Sequence, residues 1–184
     1  MAKKRVAGPI YQLRIDLDGI RPPIWRRILA PGNVKLSELS EILLAVMGWY
    51  GYHLHQFIAY GNYYGEPDPE YFDEMLDETK FTLQQIAPSP GDKFKYEYDF
   101  GDSWEHTVKV EKILDPQEGM TYPVCIKGKR ACPPEDVGGV WGYMDFLETI
   151  ADPDSGEAKE MLDWAGEDFD PEEFDLQEIN QRLR

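Results

Sequence analysis

The chain holds three histidines, His53, His55 and His106. Where they fall limits which chemistry is open to it. His106 closes the run Tyr98-Asp99-Phe100-Gly101-Asp102-Ser103-Trp104-Glu105-His106, which sets two aspartates, a turn glycine and a tryptophan beside an imidazole. His53 and His55 lie two positions apart at the start of another strand-like stretch. With 35 acidic residues in the chain, carboxylates alone carry little information. Imidazoles confined to two segments, one flanked by acids, are what a divalent metal or a general base requires. In a tight hairpin Asp99 would approach His106, with Asp102 at the tip. A carboxylate set against an imidazole fixes its tautomer and raises its basicity. With the neighbouring strand added, the candidate metal ligands are His53, His55, Asp99, Asp102 and His106. The competing reading is that Asp-Phe-Gly-Asp is turn chemistry and that His53 is a hydrogen-bonded structural histidine.

A second cluster runs from Cys132 through Pro133-Pro134-Glu135-Asp136-Val137-Gly138-Gly139 to Trp141 and Tyr143. Glu135 and Asp136 are candidates for a catalytic base, and Gly138 and Gly139 allow a backbone or a ligand to approach closely. Acids at a helix start also serve as dipole and cap residues, so a loop that locks the last helices to the sheet is the alternative. Trp104 and Tyr143, with these glycines, are candidates for a recognition surface. Trp25, Trp49, Tyr50, Tyr52, Tyr60, Tyr63 and Tyr64 supply either a further recognition surface or the core and rim of a small domain.

The elements that must position these groups follow from periodicity. Tyr11 to Leu17 alternates apolar and polar residues and reads as a strand, turned at Asp18-Gly19 and paired with Ile24 to Leu29. Leu36, Leu39, Ile42, Leu43, Val46 and Met47 share one helical face, closed at Gly48. His53 to Tyr60 is strand-like, with His53, His55 and Phe57 expected on one face. Residues 66 to 78 hold seven acids and no base, and residues 61 to 78 read as a solvated excursion. Thr82 begins a capping box before a short helix. Phe94, Tyr96, Tyr98 and Phe100 alternate with charged residues as a strand, and Trp104 to Leu114 returns after the turn. Residues 122 to 139 read as an irregular loop. Helices follow at 142–150 and 157–165, with a last one capped by Asp175. Together these predict an α+β fold: one compact domain over 1–184, with a mainly antiparallel, mixed sheet of about five strands. Helices pack on one face and at the C-terminal end, residues 142–184 form an acidic helical layer, and residues 1–8 form a basic, flexible start.

The chain carries a formal net charge of −16. Residues 1–30 balance to +5 and residues 144–184 to −11. That argues against general wrapping of nucleic acid, which needs a broad cationic footprint. Arg14, Arg21, Arg26 and Arg27 either meet an anion locally or pair with the acidic tail. No apolar run approaches the roughly 18 residues of a membrane span, and no apolar stretch follows the basic start, so a cytoplasmic location is expected. Cys125 and Cys132 do not form a CxxC pair and read as reduced thiols. Asp99-Phe100-Gly101 does not indicate a kinase, because the glycine-rich loop, strand lysine and catalytic loop are missing.

Four segments, YDFGDSWEH at 98–106, CPPEDVGGVWGY at 132–143, HLHQF at 53–57 and FDPEEFDLQEIN at 169–180, resemble the plasmid pRiA4b ORF-3-like family. Its members are also labelled insertion-element passenger proteins or resolvase-like proteins. The strand pair with Pro22-Pro23-Ile24-Trp25-Arg26-Arg27 fits too, and the resemblance runs from about Tyr11 to Leu183. It implies a compact α+β domain associated with mobile elements, with family-pattern polar positions at His53, Asp99, Asp102, His106, Glu135, Asp136 and Tyr143. A serine recombinase would need a nucleophilic serine among arginines and a basic DNA-binding tail. Ser37, Ser40, Ser89, Ser103 and Ser155 lack that setting, and the C-terminal segment is acidic. Two readings remain. The leading one, since no nucleophile constellation is recognisable, is a binding or adaptor domain for a protein partner or small ligand. The other is a metal-dependent hydrolase acting on a phosphoester or related bond, with a divalent metal as cofactor.

Overall fold

The computed structural model describes residues 8–68, 70 and 74–184. The basic start and part of the acidic excursion lie outside the described residues. In chain order the elements are β1 (Ile10–Leu17), β2 (Trp25–Pro31), α1 (Leu36–Met47), β3 (His55–Ala59), β4 (Asn62–Gly65) and β5 (Leu76–Asp77). A 3-10 turn (Glu78–Lys80), α2 (Leu83–Ile86), β6 (Lys93–Tyr98), β7 (Trp104–Leu114), β8 (Val124–Lys129), α3 (Gly139–Ile150), α4 (Gly156–Ala165) and α5 (Leu176–Arg182) follow. The architecture is α+β.

The sheet has eight strands in the order β5-β4-β3-β6-β7-β1-β2-β8, not about five. All neighbours are antiparallel except β4 and β5. The three additional strands are short and lie toward the edges. β4 and β5 have four and two residues inside the acidic excursion, and β8 sits between Pro123 and Arg130 where the sequence reads as loop. Strands this short carry too few periods to be seen.

The centre of the sheet is built from the segments whose alternation is clearest. Leu13, Ile15, Ile28, Phe57, Phe94, Tyr96, Val108 and Val110 all point to one buried face. α1 completes that core with Leu36, Leu39, Leu43 and Val46, each fully buried. Its end is set by Gly48, which takes a left-handed φ of 106° and donates its N–H to the Leu44 carbonyl. The buried Ser40 hydroxyl, turned inward from the same helix, meets the Tyr96 hydroxyl at 2.8 Å. The opposite sheet face carries charge ladders: Arg27 with Glu111, Arg14 with Asp16, and Lys95 with Asp18. Arg14 also lies 4.2 Å over the Trp25 ring. Arg27 therefore pairs across the sheet and Arg14 along its own strand, neither with the acidic tail. At the β8 edge the Asn180 side chain of α5 accepts from the Cys125 N–H and donates to the Cys125 carbonyl, each at 2.9 Å.

Candidate metal centre

β6 ends at Tyr98, and the chain turns sharply through Asp99, whose φ is +60°. Asp99 is 8 % exposed. Its Oδ1 accepts from the Gly101 N–H at 2.9 Å and the Asp102 N–H at 3.3 Å. The turn thus uses one carboxylate oxygen and leaves Oδ2 to face outward from it. His53 lies just before β3, and the Asp99 N–H bonds to the Leu54 carbonyl at 2.8 Å, which ties the two segments together. His53 Nε2 lies 3.6 Å from Asp99 Oδ2 and 2.9 Å from Asp136 Oδ1. Asp136 is also left-handed, with φ +60°. Of the five non-glycine residues with positive φ among the described residues, two are carboxylates of this one cluster. Each such conformation costs about 1–3 kcal/mol and persists only where its surroundings enforce it.

The three ligand atoms lie within 4.8 Å of one another. Donors bound to one ion at about 2.0–2.2 Å stand about 3.0–3.5 Å apart, close to the two distances measured from His53. His53 Nε2 is shielded from solvent, yet it is hydrogen-bonded to neither oxygen. An imidazole nitrogen that meets carboxylates without bonding to them suits a position between the groups better than a direct ion pair.

The loop holding Asp136 is pinned from both sides. Glu135 accepts from the Tyr98 hydroxyl at 2.5 Å and from the Tyr50 N–H at 3.1 Å. The Glu135 carboxylate also pushes the Tyr98 hydroxyl, already raised by burial, further above its ordinary pKa. Asp102 Oδ2 accepts from the Gly138 N–H at 3.1 Å. A Cβ at Gly139, where φ is +68°, would lie 2.4 Å from the Asp102 carbonyl oxygen. The two glycines therefore serve the docking of one loop on the other, and the two clusters singled out in the sequence form a single locus.

A family model for the plasmid pRiA4b ORF-3-like protein matches residues 9–178. The chain belongs to the plasmid pRiA4b ORF-3-like family. It is 38 % identical over 180 residues to the uncharacterized protein y4hQ of Sinorhizobium fredii, covering 97 % of this chain and 92 % of that protein. It is also similar to a crystal structure of a protein of unknown function, MM3350 of Methanosarcina mazei Go1, at 39 % identity and a TM-score of 0.82. That alignment covers 92 % of this chain and 96 % of the other.

In this pRiA4b ORF-3-like chain the residues predicted from sequence divide sharply. His53, Asp99 and Asp136 come together. Glu135 has both oxygens engaged as a strut. Asp102 stands aside as a loop clamp. His55 is turned away and meets Glu78 at 2.8 Å, because β3 begins at His55 and His53 precedes it in irregular chain, so the period-two expectation fails between them. Glu78 was missed within the acidic excursion, and no sequence signal separates it from its acidic neighbours. His106 does not reach Asp99. It pairs in register with Tyr96, is 0 % exposed, and its Nδ1 stands 3.1 Å from the Tyr96 carbonyl. Its ring lies edge-on to Trp49 at 5.4 Å. Burial pushes its pKa down to about 4. Trp104 and Tyr143 are also buried, at 1 % and 0 % exposure, so neither offers a recognition surface. The exposed rings near this end belong to Tyr50, Tyr52 and Trp141. Among the described residues no helix is long and apolar enough to cross a membrane, and both cysteines are free thiols.

Proposed function

We propose that this protein binds one divalent transition-metal ion through His53, Asp99 and Asp136 and is a cytoplasmic metal-dependent hydrolase acting on a phosphoester or related bond. The convergence of three ligand atoms from three separate segments carries this reading. One imidazole and two carboxylates suit zinc, manganese or iron. Three protein ligands also leave coordination positions for water and substrate, the pattern of catalytic rather than structural sites. An ion held there would supply an activated water and a Lewis acid.

The binding or adaptor reading has one observation in its favour. Tyr50 and Tyr52 are 69 % and 78 % exposed and stack at 5.8 Å beside the same loop, as rings that engage a partner do. Elemental analysis of protein purified without a histidine tag, alongside His53→Ala, separates the two. The hydrolase reading expects about one tightly held metal per chain, absent in the variant, and a metal-dependent hit in a phosphoesterase screen. Metal-free wild type that remains inactive after titration with zinc and manganese overturns it in favour of the adaptor.

A further inference from the structure

Beside the metal cluster, and sharing Asp136 with it, lies a cleft of about 460 Å³ between the Gly48–Tyr50 segment, the Cys132–Asp136 loop and the C-terminal helices. Arg26 of β2 lies at this cleft and is 2 % exposed. Its Nε donates to the Val46 carbonyl at 2.8 Å, and its Nη1 to the carbonyls of Trp25 and Lys129 at 2.9 and 3.0 Å. Nη2 has no acceptor among the described residues, although it is not sealed from solvent. The Phe174 ring lies 5.0 Å from the guanidinium carbon.

Among the described residues no carboxylate pairs with this charge. The groups that act on Arg26 electrostatically are the thiols of Cys132 and Cys125, and burial holds both thiols toward their neutral form. Of the five acids that line the cleft, four are turned elsewhere: Glu135 to Tyr98 and Tyr50, Asp136 toward His53, Asp175 to the first N–H groups of α5, and Glu178 to Arg182; Glu173 is exposed at the rim. An arginine cannot shed its proton, so the desolvation of its charge is not relieved by titration. A buried cation with three carbonyls, one unused donor and an open cleft in front of it is a built site for an anion.

We propose that Arg26 is the anion-binding group of this cleft, taking an oxyanion head, phosphate or carboxylate, of a ligand whose apolar body lies against Trp164 and Phe169. The proposal deepens the hydrolase reading and rests on it for the fate of the ligand, but not for binding. Both rings line the same cleft, and Trp164 is 52 % exposed. Asp136 lines the same cleft, so the anion site and the metal cluster share one wall.

The test is calorimetric titration of the full chain with inorganic phosphate and, separately, with acetate, at matched ionic strength and with EDTA throughout. EDTA makes the result independent of any metal, so failure here and failure of the hydrolase reading are told apart. Saturable binding of at least one of the two anions is expected, and which one binds names the head group. Arg26→Gln, which keeps amide donors for the carbonyls, should weaken it about tenfold or more, the usual contribution of a charge-assisted hydrogen bond. If that variant does not fold, Ala165→Phe, which fills the cleft without touching Arg26, should abolish binding. No binding by wild type, or binding unchanged in the folded Arg26→Gln or, failing that, in Ala165→Phe, overturns the proposal.

Discussion

His53 and His106 differ in almost every physical respect, though the sequence presents both as imidazoles beside acids. His53 sits in irregular chain, its side chain about one-third exposed, facing two carboxylates on strained backbone. His106 sits mid-sheet with aromatic rings around it and a backbone carbonyl on Nδ1. A carbonyl only accepts, so Nδ1 carries the proton and Nε2 is left bare. The comparison teaches that proximity in sequence to Asp99 and Asp102 says nothing about which imidazole those acids serve. Register decides it. Tyr96 stands opposite His106 in the ladder, which places His106 two rungs back from the turn.

The strongest way to break this contrast is metal content. His53→Ala should lose the bound ion entirely while its urea midpoint stays close to wild type. A variant that keeps its metal would return His53 to a structural role. His106→Ala should do the reverse, costing about 2–5 kcal/mol of stability by emptying a packed position, read from urea unfolding.

The next effect is in pH. The folded-state pKa of His106 is about 4, below the ordinary 6.5. Above pH 6.5 both states are neutral there. As the pH falls from 6.5 toward 4, only the unfolded chain takes up the proton, so stability is lost across that window, by roughly 2–3 kcal/mol at pH 4.5. The acid-induced fall in stability should be smaller by that amount in His106→Asn than in wild type. Equal falls would mean that His106 titrates normally.

Gly139→Ala sharpens the contrast from the His53 side. The added methyl meets the Asp102 carbonyl oxygen, and the backbone is left-handed. A loss of about 1–3 kcal/mol is expected, with weakened metal uptake as Asp136 is displaced. The smallest effect on the cluster belongs to Glu78→Gln. Glu78 is buried against His55, so the change should cost about 1–3 kcal/mol and leave metal content unchanged, because His55 lies outside the cluster.

The sequence shows α1 and the β6–β7 hairpin plainly, since each repeats its period over a buried face, whereas α5 buries no residue fully and is legible chiefly through its Asp175 cap. It also shows that residues 98–106 and 132–143 are special, through Gly139 above all, whose lack of a side chain is what the close approach to Asp102 needs. Which residues meet is a tertiary fact. Asp136 reaches His53 only because Glu135 is held by Tyr98 and Tyr50, and the pattern of residues contains no trace of that strut. The burial of Trp104 was likewise hidden, because a tryptophan just after a turn glycine reads as a surface ring until Trp49 is packed 5.6 Å from it.

Asn180 has a consequence for the molecule's behaviour in company. An eight-stranded sheet with an open border is a template on which another chain can continue the ladder. On the β8 side the amide of Asn180 occupies both the donor and the acceptor of Cys125, so one rung of that border is already taken by the protein's own last helix. On the far side β5 is two residues long, too short to seed a new strand. Both ends of the sheet are thereby guarded against further pairing, and Asn180→Ala, which frees the Cys125 N–H and carbonyl, should raise light scattering on concentration.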